Sequence, residues 1–268
     1  MTISQPTPNA APIQLVIFDW AGTIVDYGSL APVYAFDAAF RTHGVELTHE
    51  EIRGPMGLHK KDHIRDLFQL ETAASQWKAQ HGRDWSEEDV NTIYDSFLPL
   101  QVEQAQTLSG LIPGVVECFE TLKSRGITVG SSTGYPRVVA GPTIEAAASQ
   151  GFHPDFTVCA DEVPAGRPAP WMIYRNMEQL GIFPPTSVLK VGDTIPDIEA
   201  GINAGVRTIG VTQTGSEVGL SQADWERLDS ESQESAVARA SELFVQSGAD
   251  GVLASIAELP AWLDQHVS

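Results

Sequence analysis

Positive charge is scarce in this sequence. Its 268 residues include 16 Lys and Arg against 35 Asp and Glu, for a net charge of −19 at pH 7. Such a chain repels nucleic acid and anionic lipid surfaces, so neither is expected as a partner. An anionic small substrate would need local help from a Lys, an Arg or a metal ion. Cysteine is nearly absent: Cys118 and Cys159 stand far apart, without metal-binding or redox spacing, which predicts buried free thiols and fits a reducing compartment. No uninterrupted apolar run is long enough to span a bilayer. The start Met1-Thr2-Ile3-Ser4-Gln5-Pro6 lacks the basic and apolar regions of a secretory signal, so a cytoplasmic protein is expected, with residues 1–12 as a flexible tail. Internal repeats and low-complexity tracts are missing too.

What is present begins with the apolar run Leu15-Val16-Ile17, which reads as a buried parallel strand. It leads into Phe18-Asp19-Trp20-Ala21-Gly22-Thr23 and so delivers one carboxylate, Asp19, to a strand end followed by a Gly turn. Residues from about Tyr27 to Gln106 contain no convincing strand. Their pattern predicts helices over Ala31–His43, Thr48–Arg53, Asp62–Leu70 and Ser86–Gln104, with Thr48 and Ser86 as N-caps ahead of acidic first turns. From Gly110 onward helix and strand alternate. Strands are expected at 127–130, 156–159, 188–191 and 208–211, with a last one at 251–253. Helices are expected at 115–124, 136–150, 168–180 and 197–204, and the polar stretch 221–247 should also be helical. The alternation predicts an α/β protein: a Rossmann-like parallel sheet core with helices on both faces, plus an inserted all-helical cap domain. The expected division is a core of residues 13–27 and 107–268 and a cap of residues 28–106.

Three strand ends carry polar residues out of keeping with the strands before them: Asp19, Thr133-Gly134, and Gly192-Asp193-Thr194 with Asp197 four residues after Asp193. Parallel strands open onto one crevice, so the three groups can be neighbours. Any one such Asp could simply cap the next helix. Carboxylates that meet in one crevice repel one another unless a cation compensates, and hard oxygen ligands suit Mg²⁺.

This ordered set resembles the haloacid dehalogenase superfamily over about Leu15 to Gly210. Asp19 matches the nucleophile, Thr133 the second motif, and Asp193 with Asp197 the acidic fourth motif. Arg167 stands where the third motif normally has a Lys. Within the superfamily the chain is most similar to the phosphonoacetaldehyde hydrolases. The similarity lies in Asp19-Trp20-Ala21-Gly22-Thr23, the cap segment Gly54-Pro55-Met56-Gly57, Ser132-Thr133-Gly134-Tyr135-Pro136, and the block Glu162 to Pro168.

The resemblance implies cleavage of a phosphorus–carbon bond in a small phosphonate, through a Schiff base on Lys60 and an aspartyl phosphate on Asp19. Helical periodicity alone does not choose between Lys60 and Lys61; family register chooses Lys60. It also implies Mg²⁺ held by Asp19, Asp193 and the Ala21 carbonyl, with Asp197 behind them. Met56, His63, Thr133, Gly134, Tyr135 and Arg167 are the implied substrate contacts, and Ser29 receives no role. Phosphatases with an Asp-x-Asp start use the second Asp to protonate an alkoxide; here that position is Ala21. This argues against the alternatives within the fold, a phosphate-ester hydrolase or a phosphomutase. A catalytically silent binding relative is the alternative of another class. The family further suggests a homodimer through the cap, where Tyr34, Phe36 and Phe40 supply either a docking surface or a core.

Overall fold

The structure is a computed structural model and describes residues 12–266. The tail expected at 1–12 therefore lies, apart from Pro12, outside the described residues. Six parallel strands form one sheet: β1 (Leu15–Phe18), β2 (Thr128–Thr133), β3 (Phe156–Cys159), β4 (Val188–Gly192), β5 (Arg207–Val211) and β6 (Gly251–Leu253). The order across the sheet is β3-β2-β1-β4-β5-β6. The chain leaves the central β1 first to one side and then to the other. The crevice at this switch point receives the C-terminal ends of β1, β2 and β4. Leu15, Val16, Ile17 and Phe18 are fully buried because helices cover both faces of the sheet.

Between β1 and β2 lie α1 (Leu30–Thr42), α2 (His49–Arg53), α3 (Lys60–Gln69), α4 (Glu71–His81) and α5 (Glu87–Thr107). At the start of α2, Thr48 Oγ1 accepts from Glu51 N at 3.1 Å, while Glu51 Oε2 accepts from Thr48 N at 2.8 Å. That reciprocal pair satisfies two amides the helix leaves unpaired. The five helices enclose an apolar cluster of their own, with Phe36, Phe40, Phe68, Trp77, Ile93 and Phe97 in it. Each such side chain contributes roughly 1.5–3 kcal/mol on burial, so the block has its own source of cohesion, separate from the clusters against the sheet.

The core helices are α6 (Val115–Ser124), α7 (Arg137–Ser149), α8 (Trp171–Leu180), α9 (Ile195–Ala204), α10 (Gln222–Trp225), α11 (Ser230–Gln246) and α12 (Leu259–His266). Several expectations change. The second strand runs on to Thr133 because its polar end is bonded inside the protein: Ser131 Oγ lies 2.7 Å from Thr157 Oγ1, and Asn176 Nδ2 donates to Ser131 O at 2.9 Å. The helix expected from Pro168 starts at Trp171. The helix α4 has no counterpart in the sequence reading; it buries only Ala73 and Trp77, too few for an apolar stripe to show. The helical stretch at 221–247 breaks in two, and Asp229 caps the second part by accepting from Ser232 N at 2.8 Å. Phe36 and Phe40 are core residues and offer no docking surface; of the three aromatics only Tyr34 is exposed.

Candidate active site

Asp19 is fixed at the end of β1 by its amide, which donates to Val191 O of β4 at 2.9 Å. Thr133 ends β2, and its Oγ1 accepts from Tyr135 N at 3.1 Å, which shapes the turn. Asp193 follows β4, and its Oδ2 accepts from Ser216 N at 2.8 Å. These three strand ends, with Ala21, Gly134, Tyr135 and Arg167, line one buried cavity of about 30 Å³. The helical block closes it with Met56, Gly57 and Lys60. Gly57 has φ +91°, and a Cβ there would come within 2.5 Å of Thr194 Oγ1, so only glycine lets the segment before α3 seat this closely on the loop after β4.

Lys60, the first residue of α3, is 5% exposed. Its Nζ lies 5.5 Å from the Phe36 ring centroid and 5.7 Å from that of Tyr135. Burial, helped by the Arg167 charge, lowers its pKa to about 8 against the pull of Asp19 and Asp193. Lys61 faces elsewhere: its Nζ donates to Asn91 Oδ1 at 2.7 Å and sits over the Tyr94 ring. His63 does not line the cavity. Its Nε2 lies 2.8 Å from Ile52 O and its ring packs 4.1 Å from Phe36. A ring nitrogen against a carbonyl must carry the proton, which leaves Nδ1 bare. Burial and the nearby Lys60 keep this imidazole neutral, with its pKa well below the ordinary value.

A chain of alternating charge runs beneath the cavity floor. Arg167 donates through Nη2 to Asp19 Oδ1 and, at 3.0 Å, to Ser132 O; through Nη1 it reaches Asp197 Oδ2 at 3.1 Å. Asp197 also accepts from Thr194 Oγ1 at 2.6 Å and pairs with Lys190 Nζ at 2.7 Å. Lys190 comes from the middle of β4 and is 1% exposed; the sequence reading missed it. Asp197 thus serves the protein's own cations and lies outside the cavity lining. Burial opposes ionisation of Asp19, but Arg167 and then Lys190 outweigh it and hold the carboxyl below the usual range. Burial pushes Asp193 the other way, well above that range, reinforced by Asp19 and Asp197.

The donor set fits a divalent cation. Carboxylate oxygens of Asp19, Asp193 and Asp197 lie within 4.8 Å of one another, all buried, and Asp193 Oδ1 has no hydrogen-bond partner. A buried, unpartnered carboxylate oxygen beside two other acids is costly unless positive charge is supplied. The hydroxyl of Tyr135 is likewise buried without a partner.

A family model for haloacid dehalogenase-like hydrolases matches residues 13–205. The phosphonoacetaldehyde hydrolase of Bacillus cereus strain B4264 is 42% identical over 247 residues, 92% of this chain and 94% of that protein. The phosphonoacetaldehyde hydrolase of Syntrophobacter fumaroxidans is 39% identical over 258 residues, 96% of this chain and 93% of the relative. Among solved structures, a phosphonoacetaldehyde hydrolase-like protein from Oleispira antarctica superposes with a TM-score of 0.94 at 39% identity, covering 99% of this chain and 96% of the other.

Proposed function

Because the chain belongs to the haloacid dehalogenase-like hydrolases, in the branch of the phosphonoacetaldehyde hydrolases, we propose that it cleaves the phosphorus–carbon bond of phosphonoacetaldehyde, releasing acetaldehyde and phosphate. The observation that carries the reading is the meeting of Lys60 from the helical block with Asp19 from the sheet in one buried cavity, with no acid at position 21.

An alkyl carbanion is a very poor leaving group, so P–C cleavage needs an electron sink. The Lys60 amine attacks the aldehyde carbon and expels water, giving a protonated imine one carbon away from phosphorus. Asp19 then attacks phosphorus. The P–C electron pair moves into the imine to form an enamine, and the phosphoryl group passes to the Asp19 carboxylate. Protonation of the enamine carbon and hydrolysis release acetaldehyde and restore Lys60. A second water hydrolyses the aspartyl phosphate. In this scheme Arg167 and the Thr133-Gly134 turn hold the phosphoryl oxygens, Met56 and Tyr135 close around the aldehyde end, and His63 acts through Lys60 without touching substrate. Asp19, Asp193 and the Ala21 carbonyl, with Asp197 behind, would hold Mg²⁺, which would supply charge neutralisation at the phosphoryl oxygens.

A cavity of about 30 Å³ holds about two waters and cannot admit the substrate. Residues 28–106 accordingly act as a cap that opens for binding and closes for chemistry. The reading includes a cytoplasmic location and a homodimer through the cap, with Tyr34 as the exposed aromatic on that surface. No helix among the described residues is long and apolar enough to cross a membrane.

Two measurements check this reading. Imine formation needs the neutral amine, so kcat/KM should climb with pH and level off above about 8, the value to which burial brings Lys60. At pH 7.5 roughly a quarter of such amines are neutral, against about one in a thousand for an ordinary lysine. An ascending limb centred near 10.5 would place the reacting amine outside the buried cavity. The second measurement is selectivity. With Ala21 in place of an acid, p-nitrophenyl phosphate and sugar phosphates should turn over at least about a hundredfold more slowly than phosphonoacetaldehyde, the usual contribution of a general acid. Comparable rates would favour the ester-hydrolase alternative. Ala21→Asp should leave P–C cleavage no faster, since that step releases no alkoxide.

A further inference from the structure

Arg53 closes α2 in the cap, yet its guanidinium is spent on the core. Nη2 donates to Gly219 O at 3.0 Å, and Nη1 donates to Ser216 O and Ser216 Oγ, both at 3.3 Å. Nη1 also reaches Ser29 O, at 3.5 Å, on the connection between β1 and the cap. The loop receiving Arg53, residues 212–220 after β5, is shaped around it: Gly219 has φ +68°, and a Cβ there would lie 2.6 Å from Arg53 Nε. The same loop is anchored to that connection, since Gly28 N donates to Thr214 O at 2.7 Å. Its next contact is with the catalytic crevice. Ser216, whose carbonyl and hydroxyl accept from Arg53, donates its own N–H to Asp193 Oδ2 at 2.8 Å. That bond occupies Oδ2, while Asp193 Oδ1 has no partner and the carboxylate sits in the cluster with Asp19 and Asp197.

We propose that Arg53 is a positioning residue that couples cap closure to the metal site: its grip on the loop at Ser216 orients Asp193, so the closed enzyme holds Mg²⁺ more tightly than the open one. The proposal rests on the reading of Asp193 as a metal ligand and adds the cap residue that governs it. Opening the cap withdraws the guanidinium and leaves the loop to its own bonds, Thr214 Oγ1 to Gly22 O at 2.8 Å and Gly219 N to Gly215 O at 2.9 Å, so Ser216 holds Asp193 less firmly. Coupling of binding free energies is reciprocal, so Mg²⁺ must favour the closed cap by the same factor. A lysine cannot replace the guanidinium, because a point charge on one nitrogen does not bridge carbonyls on two residues.

The full-length protein tests this without turnover. Mg²⁺ affinity is measured by calorimetry for wild type, Arg53→Gln and Arg53→Lys, and the rate of reductive methylation at Lys60 is followed by peptide mass spectrometry with and without Mg²⁺. Wild type should bind Mg²⁺, and the ion should slow Lys60 methylation about tenfold by closing the cap over it. Both variants should bind Mg²⁺ about tenfold more weakly and lose the protection, with Arg53→Lys deciding should Arg53→Gln not fold. Variants that match wild type in affinity and protection, even with a lowered Tm, overturn the coupling and leave Arg53 a structural residue. Wild-type protein that binds no Mg²⁺ overturns the metal reading of Asp193 itself, an outcome distinct from the first.

Discussion

Lys60→Arg should lose turnover of phosphonoacetaldehyde by at least about a thousandfold, on the order of 4 kcal/mol in the barrier, while remaining folded. Arginine keeps the charge and most of the length but has no amine that can lose its proton and condense with an aldehyde. The effect is large because, in the proposed scheme, the imine is the sink that accepts the electron pair of the broken P–C bond. Borohydride added together with substrate should inactivate the wild-type enzyme and leave a stable adduct on the peptide carrying Lys60. Lys61→Arg should keep most activity, since Lys61 Nζ is engaged with Asn91 on α5 and Lys60 Nζ sits between the Phe36 and Tyr135 rings. An adduct on Lys61 would move the assignment by one residue. Normal turnover by Lys60→Arg would discard the imine altogether.

The contrast between these two lysines shows where sequence reasoning stops. Both share a helix face with Ile64, so spacing could not separate them; what separates them is which neighbouring element each meets, the cavity wall or α5. The strand ends were legible because a parallel sheet advertises itself as apolar runs, and a carboxylate or hydroxyl at the end of such a run is conspicuous. The same logic concealed α4, whose two buried residues make no stripe, and it left Phe36 and Phe40 open between a docking surface and a core, of which the structure shows the core. His63 is spaced one turn from Lys60, but helical spacing cannot say that its ring turns back onto Phe36 and Ile52. Arg53 offered no local signal at all, since its partners lie more than a hundred residues away at Ser216 and Gly219. Lys190 did leave a trace: a charge inside Val188-Leu189-Lys190-Val191 must find a buried counter-charge, and Asp197 was close by in the chain.

That counter-charge makes Lys190 the site of the second large effect. Lys190→Met should destabilise the fold by about 3–5 kcal/mol, the usual result of stripping one partner from a buried ion pair. Asp197 is 0% exposed and would retain only Arg167 as a cation. Arg167 would then be drawn towards Asp197 and away from Asp19, so activity should fall as well, though by less than in Lys60→Arg. Urea denaturation reads the first effect and steady-state kinetics the second. The double variant Lys190→Met with Asp197→Asn provides the decisive comparison. Removing both charges leaves no uncompensated carboxylate, and asparagine can still accept from Thr194 and Arg167. The double variant should therefore be more stable than the sum of the two single losses, by about 0.5–3 kcal/mol, the range found for groups in direct contact. Strict additivity would mean that Lys190 and Asp197 do not depend on each other. The charge chain from Lys190 through Asp197 and Arg167 to Asp19 would then be a set of independent contacts, and Arg167 would need another explanation for its place against Asp19.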